Sequence, residues 1–371
     1  MRFRLLAVAG CATIATVVLA CHPTSSPQGG DSRPAPSRED AAPVVAEPKP
    51  TAEVDAAIAQ VLAEAGASDG TVVESDPMSL HKETREELLA LFSIKDFTDD
   101  QKKVIQPDAF LRNVFNTTGP QFANQGNKAI AKHTISKEKC LAGLKDIVLQ
   151  TPEQKAKCGG LENMVPIWTK DKDAWYCIDI FEFPNKACEL PIVWIPPTTA
   201  KKVCELQGKR LCSDIEWNIA CRGDPERGDD WKYAYGNKVD IDICHTNLRH
   251  RTACNPWDAK STWKSCSSDS EPSGSFPKCR SRFGVFDQHG NVAEVMMRRE
   301  GDRVVTQLKG SAWFYVELVK EPGEAPPPTT TNKSGAYPDH CNFNPRWHVE
   351  PIERAQHVNY HLGFRCCKSI P

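Results

Sequence analysis

The chain has 371 residues, 25% of them charged, and a formal net charge of −2 at pH 7. So even a balance leaves no electrostatic basis for nucleic-acid or anionic-membrane binding. The length suits one sizeable domain with additions.

Residues 1–20 read as a lipoprotein signal peptide. Arg2 and Arg4 form a basic start, and Leu5 to Ala20 is apolar but short of the roughly 20 residues that a membrane span needs. Small residues precede Cys21, which makes Cys21 the expected lipidated residue; an ordinary secretory signal is the alternative. Residues 21–52 carry Pro, Ser, Gly and Ala without aromatics, a composition for a disordered tether.

Residues 53–157 read as a small helical region. Val54, Ile58, Val61 and Leu62 recur at helical spacing. Ser79 suits the N-cap of a helix presenting Leu80, Leu88, Leu91 and Phe92. Thr98 with Gln101 forms a capping box, Ser136 opens a short helix with Cys140, Leu141 and Leu144, and Thr151-Pro152 starts another.

A compact body over 158–371 follows. Trp175 to Phe183 and Pro191 to Ile195 suit strands. Thr198 suits the cap of a helix holding Val203 and Cys204 and ending at Gly208. Ser213 and Glu216 box the next helix, with Trp217, Ala220 and Cys221, which Gly223 ends. Turn residues dominate thereafter.

Beyond Cys11 and Cys21 stand fourteen cysteines. An even, dense set in an exported chain reads as a disulfide framework, and no Cys-x-x-Cys pair supports zinc. Local pairs such as Cys140 with Cys158, or Cys244 with Cys254, suit the spacing. His357 and His361 have the i, i+4 spacing of helical zinc ligands, but the accompanying glutamate is missing. No nucleophile elbow or phosphate loop occurs.

Six segments carry a resemblance, in this order. They are Glu182-Phe183-Pro184-Asn185, the run Gly208-Lys209-Arg210-Leu211-Cys212-Ser213-Asp214-Ile215-Glu216-Trp217-Asn218, Tyr233-Ala234-Tyr235-Gly236, the run from Gly284 through Asp287 and Gly290-Asn291-Val292-Ala293-Glu294-Val295, Lys309-Gly310-Ser311-Ala312-Trp313, and Gly363-Phe364-Arg365-Cys366. Together they resemble the sulfatase-modifying-factor family, whose founding members generate formylglycine. The resemblance spans roughly residues 160 to 368. It implies an α+β, C-type-lectin-like domain, loop-rich and disulfide-stapled.

The same resemblance implies Cys204 paired with Cys366 and Cys221 with Cys341. Cys212 and Cys367 stand beside the family's positions and suit a pair of their own. Formylglycine generation uses two thiolates that bind copper(I). Counting from Lys309, their positions hold Tyr315 and Lys320, and Ala312 replaces the family's serine. Copper is therefore not expected. Calcium is implied at Asn291 and Glu294, although Ala293 and Val295 replace the neighbouring tryptophans. A turn at Asn291 and a structural hydrogen bond at Glu294 are the alternative.

These residues point to an exported lipoprotein whose catalytically degenerate domain binds a protein or glycan ligand in the cell envelope. The loops 224–280 and 320–348 form the expected face, with Trp257, Trp263, Tyr337 and Trp347 as aromatic anchors. Packing beneath long loops is the other role for those rings. A formylglycine-generating oxidoreductase and a structural envelope protein are the alternative functions. With no Asp after Cys21, the outer membrane or the periplasmic face is the expected site.

Overall fold

A computed structural model describes residues 74–91, 114–115, 123–168, 174–223, 228, 230–238, 240, 242–246, 265–313, 316–317, 337–338, 340–345 and 348–370. The signal segment, the tether, the Val54–Leu62 pattern and the Thr98–Gln101 box lie outside these residues.

The first described helical turn is a 3-10 turn, Pro77–Leu80, set by the Asp76 side chain accepting the Met78 N–H. Helix α1, Arg85–Leu91, follows. Ser79 therefore lies inside the turn and caps nothing. Thr84 starts the helix instead: its hydroxyl accepts the Glu87 N–H while Glu87 accepts the Thr84 N–H. Helix α2, Lys137–Leu144, is capped by Ser136, and α3, Pro152–Lys157, by a Thr151–Gln154 box.

Strands β1, Met164–Ile167, and β2, Tyr176–Asp179, pair antiparallel. The aromatic strand expected to run on to Phe183 stops at Asp179. There the chain turns, and Asn185 Oδ1 takes the Phe181 N–H. Pro191 to Ile195 is not a strand, and Val193 makes a single bridge with Asn124. Helix α4, Pro197–Leu206, begins at proline with Pro196 as N-cap, so Thr198 is internal. The two prolines preset the backbone and need no side-chain cap. Strand β3, Arg210–Leu211, leads to α5, Asp214–Arg222, with the full Ser213–Glu216 capping box and Gly223 at its C-terminal end.

Strands β4, Ala293–Glu300, and β5, Arg303–Lys309, form a long hairpin. Short strands β6, Val316–Glu317, and β7, Tyr337–Pro338, pair with each other. Strand β8, Leu362–Gly363, runs parallel to β4, and β9, Cys366–Ser369, lies between β2 and β3. The sheets are thus β1-β2-β9-β3, β5-β4-β8 and β6-β7. His357 and His361 lie in the irregular approach to β8, so their spacing is not helical.

Two large cores result. One packs α4 residues Ala200 and Val203 against Leu308, Leu362 and Phe364. The other packs Leu141 and Leu144 of α2 with Phe181, Trp217 and Phe286. Six disulfides occur among the described residues: 140–188, 158–177, 204–366, 212–367, 221–341 and 244–279. Cys140 takes Cys188 rather than Cys158 because Cys140 of α2 packs in one core with Phe181 and Cys188, while Cys158 at the end of α3 packs with Met164 of β1 and Cys177 of β2. Cys244 takes Cys279 rather than Cys254. The result is an α+β, loop-rich, disulfide-stapled body.

Candidate functional site

Arg365 precedes β9 and is wholly buried, among the largest buried side chains. Its Nε and Nη2 donate to Glu294 Oε2 and Oε1 at 2.7 and 2.6 Å, a bidentate fork. Nη1 and Nη2 also donate to the carbonyls of Asp179, Ile180 and Phe286. Trp217 Nε1, from α5, donates to Glu294 Oε2 at 3.1 Å. One arginine thereby joins β2, α5, β4 and the last strand.

Two more carboxylates sit in this interior. Glu182 accepts from Asn291 Nδ2 at 2.7 Å, from the Val292 N–H at 2.9 Å and from the Ser273 hydroxyl at 2.9 Å. Asp287 accepts the Gly274 N–H at 2.7 Å. Burial raises the pKa of both, with neighbouring carboxylates adding to it; Glu182 goes well up and Asp287 to about 7. Asp179 is also raised by burial, even though Lys209 Nζ donates to it at 2.7 Å.

Asn291 sits at φ 53 in the turn into β4. Its Oδ1 accepts the Glu271 N–H at 2.8 Å, and its Nδ2 serves Glu182 and the Glu271 carbonyl. Both Glu294 oxygens are committed to Arg365 and Trp217. The calcium expected here does not fit this pair: the oxygens that would ligate it already accept protein donors, and Arg365 places a positive charge where the cation would go. Gly290 is required beside them, because a Cβ there would come 2.3 Å from the His245 carbonyl oxygen.

The turn after β5 is where the resemblance places the family's chemistry. Lys309 is buried and donates to the carbonyls of Cys341 and Phe343 at 2.9 and 2.7 Å and to Asn344 Oδ1 at 3.0 Å. Its ammonium lies 5.0 Å from the Trp217 ring centre. Burial pushes its pKa down to about 7, against these three acceptors and the ring face, which all favour the ammonium. Ser311 accepts the Gly290 N–H at 2.8 Å, Ala312 is buried, and the Trp313 N–H donates to the Asn291 carbonyl at 3.0 Å. Lys309 to Trp313 thus braces the Asn291 turn.

Cys341 is disulfide-bonded to Cys221 of α5. His289 Nε2 accepts the Ala234 N–H at 2.9 Å and lies 3.4 and 3.8 Å from the two sulfurs. These three side chains are the only group of three such potential metal ligands within 4.8 Å among the described residues. Both sulfurs are tied up in the disulfide, so neither is a thiolate, and the set does not fit copper(I).

The implied pairs Cys204–Cys366, Cys221–Cys341 and Cys212–Cys367 are the ones the structure forms. Trp257, Trp263 and Trp347 lie outside the described residues, as do Tyr315, Lys320 and Cys21. Tyr337 is described only as part of β7. Sequence reasoning did not single out His289 or Lys309. For Lys309 the available signal was its place at the head of the Lys309–Trp313 segment that carries the resemblance.

Among the described residues no helix is long and apolar enough to cross a membrane. The disulfide density belongs to an oxidising, exported setting. Residues 128–370 match the sulfatase-modifying factor enzyme 1-like domain. The Bos taurus protein named inactive C-alpha-formylglycine-generating enzyme 2 is 26% identical over 184 residues, 48% of this chain and 50% of that protein. The chain spans about half the length of that curated relative. With the domain matched across 128–370 and the Arg365 interior, the C-type-lectin-like body and its staples in place, the chain belongs to the sulfatase-modifying factor family.

Proposed function

We propose that this is an exported lipoprotein, anchored through Cys21, whose domain has lost formylglycine formation and serves as a binding module for a protein or glycan in the cell envelope. The observation that carries the reading is the chemistry after β5. The positions of the family's thiolates hold Tyr315 and Lys320, and neither supplies a thiolate. Cys341, the next cysteine in the chain, is closed in a disulfide. The name of the cattle relative also describes that protein as inactive. Disulfide density supports export.

The segments 224–280 and 320–348, read as loops from their turn-rich sequence, are the proposed recognition face, with Trp257, Trp263, Tyr337 and Trp347 as anchors. The test is an assay for formylglycine. The purified chain, with copper(I), oxygen and a thiol reductant, is incubated with a cysteine peptide of sulfatase type, and the products are weighed by mass spectrometry. The peptide is expected to keep its thiol. Conversion to the aldehyde would return the chain to the enzymes. Cys21→Ser is expected to move the protein from the membrane fraction to the soluble one.

A further inference from the structure

Two buried imidazoles meet where the segment 75–91 packs on the domain. The Pro77–Leu80 turn delivers His81, whose ring centre lies 5.6 Å from that of His133, at 28° between planes. Both residues are 5% exposed. His133 Nδ1 is 2.6 Å from the Ser270 carbonyl oxygen, which can only accept. Nδ1 therefore carries the proton, and Nε2 is left with its lone pair. That Nε2 has no hydrogen-bond partner, nor does either ring nitrogen of His81. The carbonyls of Gln125 and Lys82 favour the charged form of His81 but stop short of hydrogen bonds.

Three bare nitrogens at one buried seam are costly unless something uses them. A thioether is present too: Met78 Sδ accepts the His133 backbone N–H at 3.4 Å. Burial keeps both rings neutral, each with its pKa lowered to about 4; Lys128 adds to this at His81, and His81 and His245 add to it at His133. A neutral imidazole whose far N–H is fixed by a carbonyl is the usual arrangement of a metal-ligating histidine.

The donor set selects the ion. No third His, Cys, Asp or Glu among the described residues closes on this pair. Lys128, whose charge opposes a cation at His81, is paired with Glu83 at 3.0 Å. Two imidazoles and a thioether are all neutral. A divalent ion among them would keep its full charge in a desolvated site, whereas a soft, monovalent ion of low coordination number avoids that penalty.

We propose that His81, His133 and Met78 form a copper(I) site that clamps the segment 75–91 to the domain. It shares no residue with the turn after β5, and its role is binding.

The test uses the full chain, stripped of metal and titrated anaerobically against the coloured copper(I)–bicinchoninate complex. The wild-type chain is expected to withdraw one copper ion. His81→Phe and Met78→Leu, which keep the bulk at the seam, are each expected to weaken binding about tenfold or more. X-ray absorption of the loaded wild type, which does not depend on a variant folding, is expected to show nitrogen ligands with one sulfur. Tryptic cleavage after Lys82 and Arg85 is expected to slow on loading. Failure of the wild type to withdraw copper overturns the site. So does equal withdrawal by both variants, or a sulfur-only spectrum, which would put the metal on cysteine.

Discussion

Arg365 shows how a single buried charge can organise a loop-rich interior. Glu294→Gln would leave the guanidinium without its countercharge, and a loss of about 3 kcal/mol is expected in urea unfolding. The buried titratable groups pull stability in two directions. His81, His133 and His245 are each pushed down by burial, from 6.5 to about 4. Between those values the unfolded chain takes up protons that the folded chain refuses. Their contribution is whole above pH 6.5 and is lost as pH falls toward 4. Asp287 goes the other way, from 3.8 to about 7. Its contribution is whole below pH 3.8 and is lost as pH rises through 7. Asp287→Asn is therefore expected to gain stability over wild type at pH 8 relative to pH 5, read as the shift in urea midpoint. A variant whose deficit is equal at both pH values would show that Asp287 does not titrate between them. A structural hydrogen bond at Glu294 was legible as the alternative to calcium; that Arg365 is its partner was not, because the two meet only across 71 residues of chain. The bare nitrogens of His81 and His133 were not, because their meeting depends on contacts 52 residues apart in the chain.

Elements were most legible where a side chain caps the backbone locally. Ser136, Thr151 and Ser213 all cap the helices that their spacing announces. At Ser213 the box also holds Glu216, which forms an ion pair with Arg210 of β3. Ser213→Ala is expected to cost about 1 kcal/mol, and Glu216→Ala more, because the Arg210 pair goes with it; thermal melts of the two variants test the order. Legibility failed where tertiary contacts override pattern. Pro191 to Ile195 reads as a strand, yet it packs as irregular chain with Val193, Trp194 and Ile195 all buried. Ser79 looked like a cap, but the local signal lay three residues earlier in Asp76-Pro77, a capping carboxylate followed by proline in the first turn.

At the scale of the whole molecule, two staples close almost the same circuit. Cys204–Cys366 and Cys212–Cys367 span 162 and 155 residues. With one intact, losing the other frees little more than the stretch between Cys204 and Cys212. Each double Cys→Ser pair alone is expected to cost roughly 2–3 kcal/mol, and all four substitutions together more than the sum of the two, as chain entropy over the long loop returns. Additive losses would argue against a shared loop. The resemblance supplied these pairs. Cys140 and Cys244 escaped it because spacing says nothing about which loops fold over one another. The placement of β9 carries a temporal consequence. This inner strand is the last of the nine described strands to be made, so nothing joins β2 to β3 until the chain has been made past residue 369. Until then Cys204 and Cys212 wait as neighbouring thiols with no proper partners, free to oxidise to each other. Maturation of this domain should therefore depend on a disulfide isomerase, and oxidative refolding of the reduced chain without one should accumulate a trapped 204–212 species, read by mass spectrometry after alkylation.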